Sequence, residues 1–152
     1  MKKKKILIAT DGSEFGTRAI DEACDFIDPK ETEVKIVSAY YPTVYVGTEP
    51  AFTSSTLYNS IETELKTVAI SVIERAIERI RDRFPDEGLS LSNEVMRGPA
   101  AKEIIEEAEK WHADLIVVGS HGYGFWGRLL GSVSNDVVHH APCSVLVVRD
   151  KE

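Results

Sequence analysis

Five short strand-like runs alternate with four helix-like runs along this chain, and few folds accept that order. Lys4–Thr10 (KKILIAT) is a β-branched run closing on the turn pair Asp11-Gly12. Ser13 then stands as an N-cap. Phe15, Ala19, Ile20, Ala23, Phe26 and Ile27 follow at helical spacing until Asp28-Pro29 stops them. Glu33–Tyr40 reads as the second strand. Residues 41–53 hold Pro42, Gly47 and Pro50 without a period, and read as a long loop of the kind that often carries function. Asn59 and Glu62 have capping-box spacing ahead of a long amphipathic helix. Its apolar face runs through Leu57, Ile61, Leu65, Val68, Val72, Ile73, Ala76, Ile77, Ile80 and Phe84, and Pro85 ends it.

Leu89–Arg97 alternates loosely as the third strand, and Gly98-Pro99 opens a helix that buries Ala101, Ile104, Ile105, Ala108 and Trp111. Asp114–Gly119 (DLIVVG) is apolar without alternation, the pattern of a strand covered on both faces. Ser132 starts a short helix through Val133, Val137 and Val138, and Cys143–Arg149 (CSVLVVR) is the last strand. Strands alternating with helices imply a parallel sheet covered on both sides. Right-handed crossovers restrict it to an α/β doubly wound sandwich, with residues 1–152 as one domain. A ligand is then expected beyond the C-terminal strand ends, where the strand order reverses.

Composition narrows the function classes. The 152 residues are 43% hydrophobic and 28% charged, which excludes a disordered chain. The net charge of -7 argues against a general nucleic-acid binder. Lys2–Lys5 is read as a solvated flank of the first strand. Cys24 and Cys143 are far apart and lack CxxC spacing, so neither a disulfide framework nor a zinc site is expected. No run is long enough to span a bilayer, and the terminal lysines precede no apolar signal segment, so the expected location is cytoplasmic.

The chemistry concentrates in Gly119–Ser134 (GSHGYGFWGRLLGSVS), which contains Gly119, Gly122, Gly124, Gly127 and Gly131. It joins the fourth strand to a helix N-terminus. Glycines permit close backbone approach, and successive amides with a helix N-terminus make an anion cradle. Ser132 and Ser134 could add hydroxyls, and Arg128 a charge. The same residues would also serve a plain tight connection capped by Ser132. The segment is neither a Walker loop nor a dinucleotide fingerprint, because the lysine and the glycine spacing those require are absent.

The pieces ILIATDGSE, RGPA, DLIVVGSHG and LLGSVSNDVVHHAPCSVLVVR together resemble the universal stress protein family over nearly the whole chain. The resemblance implies a five-stranded parallel sheet of order 3-2-1-4-5. Family members with the motif glycine, two residues, glycine, nine residues, glycine and serine or threonine bind ATP. Gly119, Gly122 and Gly131-Ser132 match it, but only eight residues, Tyr123–Leu130, separate the second and third glycines. ATP, ADP and AMP therefore all stay open, with Mg²⁺ or Mn²⁺ held through the phosphates.

By motif position, Ala9, Thr10 and Asp11 would lie near the nucleoside, and the backbone of Ala39 would meet adenine. Val118, Gly119, Ser120, His121, Gly122, Tyr123, Gly124 and Phe125 would wrap ribose and phosphates. Gly131, Ser132, Val133 and Ser134 would receive the phosphates. For Asp11 an Asx turn is the alternative. His121 is read as a loop histidine facing solvent, with phosphate contact as the alternative. Phe125 and Trp126 either cover the ligand or pack beneath the loop. His112 is expected at the surface, and adjacent His139 and His140 do not form a same-face pair.

The family pairs its last strand with a second copy, so Val145–Val148 are expected to form a homodimer. The resemblance implies a nucleotide-binding regulatory protein of the stress response. A slow nucleotide hydrolase or transferase, and a nucleotide-free dimeric interaction protein, are the alternatives. No nucleic-acid or membrane partner is expected.

Overall fold

The computed structural model describes residues 2–42, 45–46, 49–50, 55–86, 88–122 and 129–149. Strand β1, Lys4–Ala9, sets the architecture because it has no solvent face: Ile6, Leu7 and Ile8 are each 0% exposed. Side chains alternate along a strand. Ile6 and Ile8 enter one core while Leu7 and Ala9 enter another on the opposite side of the sheet.

Helix α1 (Glu14–Cys24) begins at Ser13, whose hydroxyl accepts from the Gly16 amide at 3.2 Å. It ends earlier than the spacing predicts. The amides of Asp25, Phe26 and Ile27 bond three residues back, a tightened turn that leaves Phe26 half exposed while Ile27 stays buried. Strand β2 (Thr32–Tyr40) follows. Within the stretch read as a loop, β3 (Tyr45–Val46) and β4 (Glu49–Pro50) pair antiparallel. Two residues per strand are too few to show alternation in a sequence.

Helix α2 runs from Ser55 to Arg83, so Asn59 lies inside it and caps nothing. The Asn59 carbonyl accepts from the Thr63 hydroxyl at 2.8 Å, and Glu62 pairs with Arg97. Ala69, Val72, Ile73, Ala76 and Ile80 are buried, whereas Leu57 and Val68 in the first half of the same stripe are exposed. Strand β5 (Ser90–Arg97), helix α3 (Ala100–Trp111), strand β6 (Leu115–Gly119), helix α4 (Ser132–His140) and strand β7 (Ser144–Val148) complete the chain.

The main sheet is parallel in the order β5-β2-β1-β6-β7. Counting the five long strands in sequence, this is the expected 3-2-1-4-5. Helices α1 and α2 cover one face, around Ile20, Ala23, Ile73 and Ile80. Helices α3 and α4 cover the other, around Ile104, Ala108 and Val137. Trp111 is only half-buried. The Lys5 and Lys35 ammonium groups lie 5.2 and 5.6 Å from its ring centre, and Lys35 also pairs with the buried Glu107. Two exposed ion pairs, Asp21 with Arg79 and Asp25 with Arg83, link α1 to α2. No helix among the described residues is long and apolar enough to cross a membrane.

Candidate functional site

The chain winds outward from β1 through β2 to β5, then crosses back to lay β6 on the other side of β1. Crossovers that leave in opposite directions part at this point and open a crevice at the strand ends. A cleft of about 320 Å³ lies there, within the size range of small-molecule sites. Ala9, Thr10 and Asp11 line it from the end of β1, and Ala39 from β2. Val118 and Gly119 from β6, His121 and Gly122 just after it, and Gly131, Ser132, Val133 and Ser134 at the start of α4 complete the expected set.

The cleft also takes residues that sequence reasoning missed. Gly16, Val37, Ser38, Ala100 and Ile104 line it as well. Val37 shares a strand face with Ala39, and Ala100 and Ile104 are one helical turn apart. Period-2 and i,i+4 extension from the chosen residues could have found them. Ser120 is absent from the lining. Tyr123, Gly124 and Phe125 lie outside the described residues, together with Trp126 and Arg128.

Backbone donors gather at one end of the cleft. Gly131 is the N-cap of α4 and supplies no side chain. The Asn135 amide bonds the Gly131 carbonyl at 2.9 Å, so intrahelical bonding begins there. The preceding first-turn amides, of Ser132, Val133 and Ser134, are the donors a helix leaves without intrahelical partners. With the helix dipole they favour an anion. The Ser134 hydroxyl points inward instead. It is buried and donates to the Ser120 carbonyl at 2.8 Å, so it braces the turn.

The opposite wall carries a carboxylate. Asp11 Oδ1 accepts from the Ser13 amide at 2.9 Å, the Asx turn of the alternative reading. Gly12 follows at φ 80, a conformation that favours glycine. The other oxygen remains on the cleft: a Cβ on Gly122 would stand 2.6 Å from Asp11 Oδ2. Glycine at 122 is what permits this closeness. Turn and site roles thus coexist in one side chain.

His121 overturns the solvent-facing expectation. It is 7% exposed, packs edge-on against Phe15 with ring centres 5.1 Å apart, and its Nε2 meets the Leu129 carbonyl. Its Nδ1 lies 3.0 Å from the Ser120 hydroxyl. The bulk of an imidazole beside the α1 start favours burial once both nitrogens have partners. His139 and His140 are exposed, each bonding a carbonyl one turn back. Among the described residues no cluster of His, Cys, Asp and Glu could hold a metal ion.

A doubly wound α/β domain with a carboxylate and an anion-ready helix end facing one cleft defines the class of protein. Within that class, the family model of the universal stress proteins matches residues 3–149. The chain belongs to the universal stress protein family. It is 35% identical to universal stress protein MJ0531 of Methanocaldococcus jannaschii over 147 residues, covering 96% of this chain and 82% of that protein. It is 31% identical to YxiE of Bacillus subtilis, covering 95% and 98%.

Among solved structures, UspA of Lactobacillus plantarum superposes with a TM-score of 0.77 at 22% identity, covering 98% of this chain and 99% of that one. A universal stress protein in complex with cAMP gives 0.68 at 23% identity, covering 98% of each chain. An Arabidopsis thaliana family member with AMP bound gives 0.62 at 18%, covering 97% and 92%. At these identities the three structures bear on the fold alone.

Proposed function

We propose that this protein is an adenine-nucleotide-binding regulatory protein. The observation that carries this reading is the convergence, on one cleft, of the Asp11 carboxylate, the first-turn amides of α4 and an apolar wall of Val37, Ala39, Ala100 and Ile104. The wall suits a flat base, the carboxylate a ribose hydroxyl, and the amides a phosphate. Proteins of this fold with cAMP or AMP bound add support. A divalent cation, Mg²⁺ or Mn²⁺, would enter through the phosphates, with Asp11 the one carboxylate lining the cleft among the described residues.

ATP is the nucleotide we assign, and the experiment compares it with AMP. Thermal unfolding with and without each nucleotide should show a rise that grows with concentration. No shift with either would leave the nucleotide-free reading in place. A hydrolase needs a positioned base. Of the two candidates, His121 already meets a partner at each ring nitrogen, and Asp11 holds the turn with one oxygen. Binding without turnover is therefore the reading favoured, with partners sensing the occupied state.

A further inference from the structure

We infer that His121 is a positioning residue that fastens the base of the glycine-rich segment, and thereby sets the spacing between the Gly122 amide and the first turn of α4. This rests on the nucleotide reading above. Five bonds converge on two adjacent residues. The Ser120 amide donates to the Val148 carbonyl at 2.8 Å. The Ser120 carbonyl accepts from the Gly131 amide and the Ser134 hydroxyl, both at 2.8 Å. The Ser120 hydroxyl meets His121 Nδ1 at 3.0 Å. His121 Nε2 reaches the Leu129 carbonyl, eight residues on.

The chemistry fixes the tautomer. A carbonyl only accepts, so Nε2 carries the hydrogen toward Leu129, and Nδ1 accepts from the Ser120 hydroxyl. The imidazole thus relays one bond into the next and bridges residues 120 and 129. Phe15 holds its ring edge-on. Neither nitrogen is left to bind phosphate or to take a proton from water. The ring lines the cleft, yet acts through the two backbone segments it joins. Removing it leaves Leu129 without this donor and Ser120 without this acceptor, and the entry and exit of the segment lose their cross-brace.

The phosphate donors sit on both sides of that brace, whereas the apolar wall lies on β2 and α3. The inference therefore separates phosphate from base. His121→Ala should weaken ATP about tenfold, the scale of one lost bond to a part-buried carbonyl, and leave adenosine affinity within about twofold. His121→Gln places an amide N–H where Nε2 stands and should restore most of the ATP affinity. His121→Asn, too short to reach Leu129, should not. Calorimetry reads all four proteins. Equal losses for ATP and adenosine, an unchanged His121→Ala, or equal behaviour of Gln and Asn would each overturn the inference. If the alanine variant does not fold, the Gln and Asn pair decides.

A second readout needs no ligand. Amide exchange in a peptide covering residues 129–134 should accelerate in His121→Asn and return toward the parent in His121→Gln. If the parent protein binds neither ATP nor adenosine, the nucleotide reading fails and this exchange pattern alone decides the brace. Identical exchange in all variants would remove it.

Discussion

Two glycines at the site tolerate a methyl group differently. A Cβ on Gly119 would lie 2.8 Å from the Phe15 backbone, which cannot move without displacing α1. Among the described residues, a Cβ on Gly122 would meet only the carboxylate end of Asp11, at 2.6 Å. Gly119→Ala should therefore cost about 1–3 kcal/mol of stability by overpacking. Gly122→Ala should keep stability within about 0.5 kcal/mol, as surface changes do, yet weaken ATP binding by displacing Asp11. Denaturant titration and calorimetry separate the two. Equal stability losses would mean that Asp11 is held as rigidly as the backbone.

Spacing alone misreads some side chains. Asn59 and Glu62 satisfy a capping-box pattern, but Glu62 pairs with Arg97 on the end of β5, 35 residues away, and Arg97 also bonds the Tyr58 hydroxyl. A pattern of two residues carries no information about a partner so distant in sequence. The burial of His121 escapes local pattern for the same reason. Its burial depends on Phe15 and Leu129, which the chain places beside it only after folding.

Among elements, β7 is an open edge of the main sheet. It lies at the sheet edge beside β6, with Val145, Leu146 and Val147 each partly exposed. An apolar edge with unpaired backbone groups is a template for strand pairing. We expect a homodimer that pairs this strand with its copy, and sedimentation equilibrium should return twice the chain mass. A monomer at tens of micromolar would overturn the expectation. Because the Val148 carbonyl holds the Ser120 amide, strand pairing would also steady the base of the glycine-rich segment. The opposite edge, β5, has α2 tied to its end through Arg97. Helix α2 itself divides in two: its second half is anchored by Ile73, Ala76 and Ile80, and its first half leaves Leu57 and Val68 exposed. Helical periodicity alone drew one continuous stripe and could not mark where the core stops.

At the scale of the whole molecule, two cores sandwich the sheet, and each holds one cysteine. Burial raises the Cys24 thiol above its ordinary pKa, against a lowering by Arg83. Burial, with repulsion from Asp114 second, raises Cys143. Both thiols should therefore react slowly with alkylating reagents near neutral pH, Cys24 more slowly because it is the more buried, and at equal rates once the chain is unfolded. The stability contribution follows in sign. A folded pKa above the unfolded one gives stabilisation that is complete below the thiol's ordinary pKa and fades as pH climbs through the raised value. Melting temperature should fall on the alkaline side, and Cys24→Ala should flatten that fall. A thiol that reacts as fast in the native as in the unfolded protein would show that its core opens.

The order of the five long strands and four helices, the parallel sheet and the end of the sheet that carries the cleft were all legible in the residues alone. Those follow from local causes: unbroken apolar strands, helical spacing and glycines after β6. Most cleft residues were legible because each lies at a strand end or helix start, which the local pattern marks. Folding alone sets the inward turn of the Ser134 hydroxyl, the bridge from Ser120 through His121 to Leu129, the place of Gly16, Ala100 and Ile104 in the cleft lining, and the departure of half of α2 from the core. Each of these depends on a contact between segments whose distance in space no local pattern encodes.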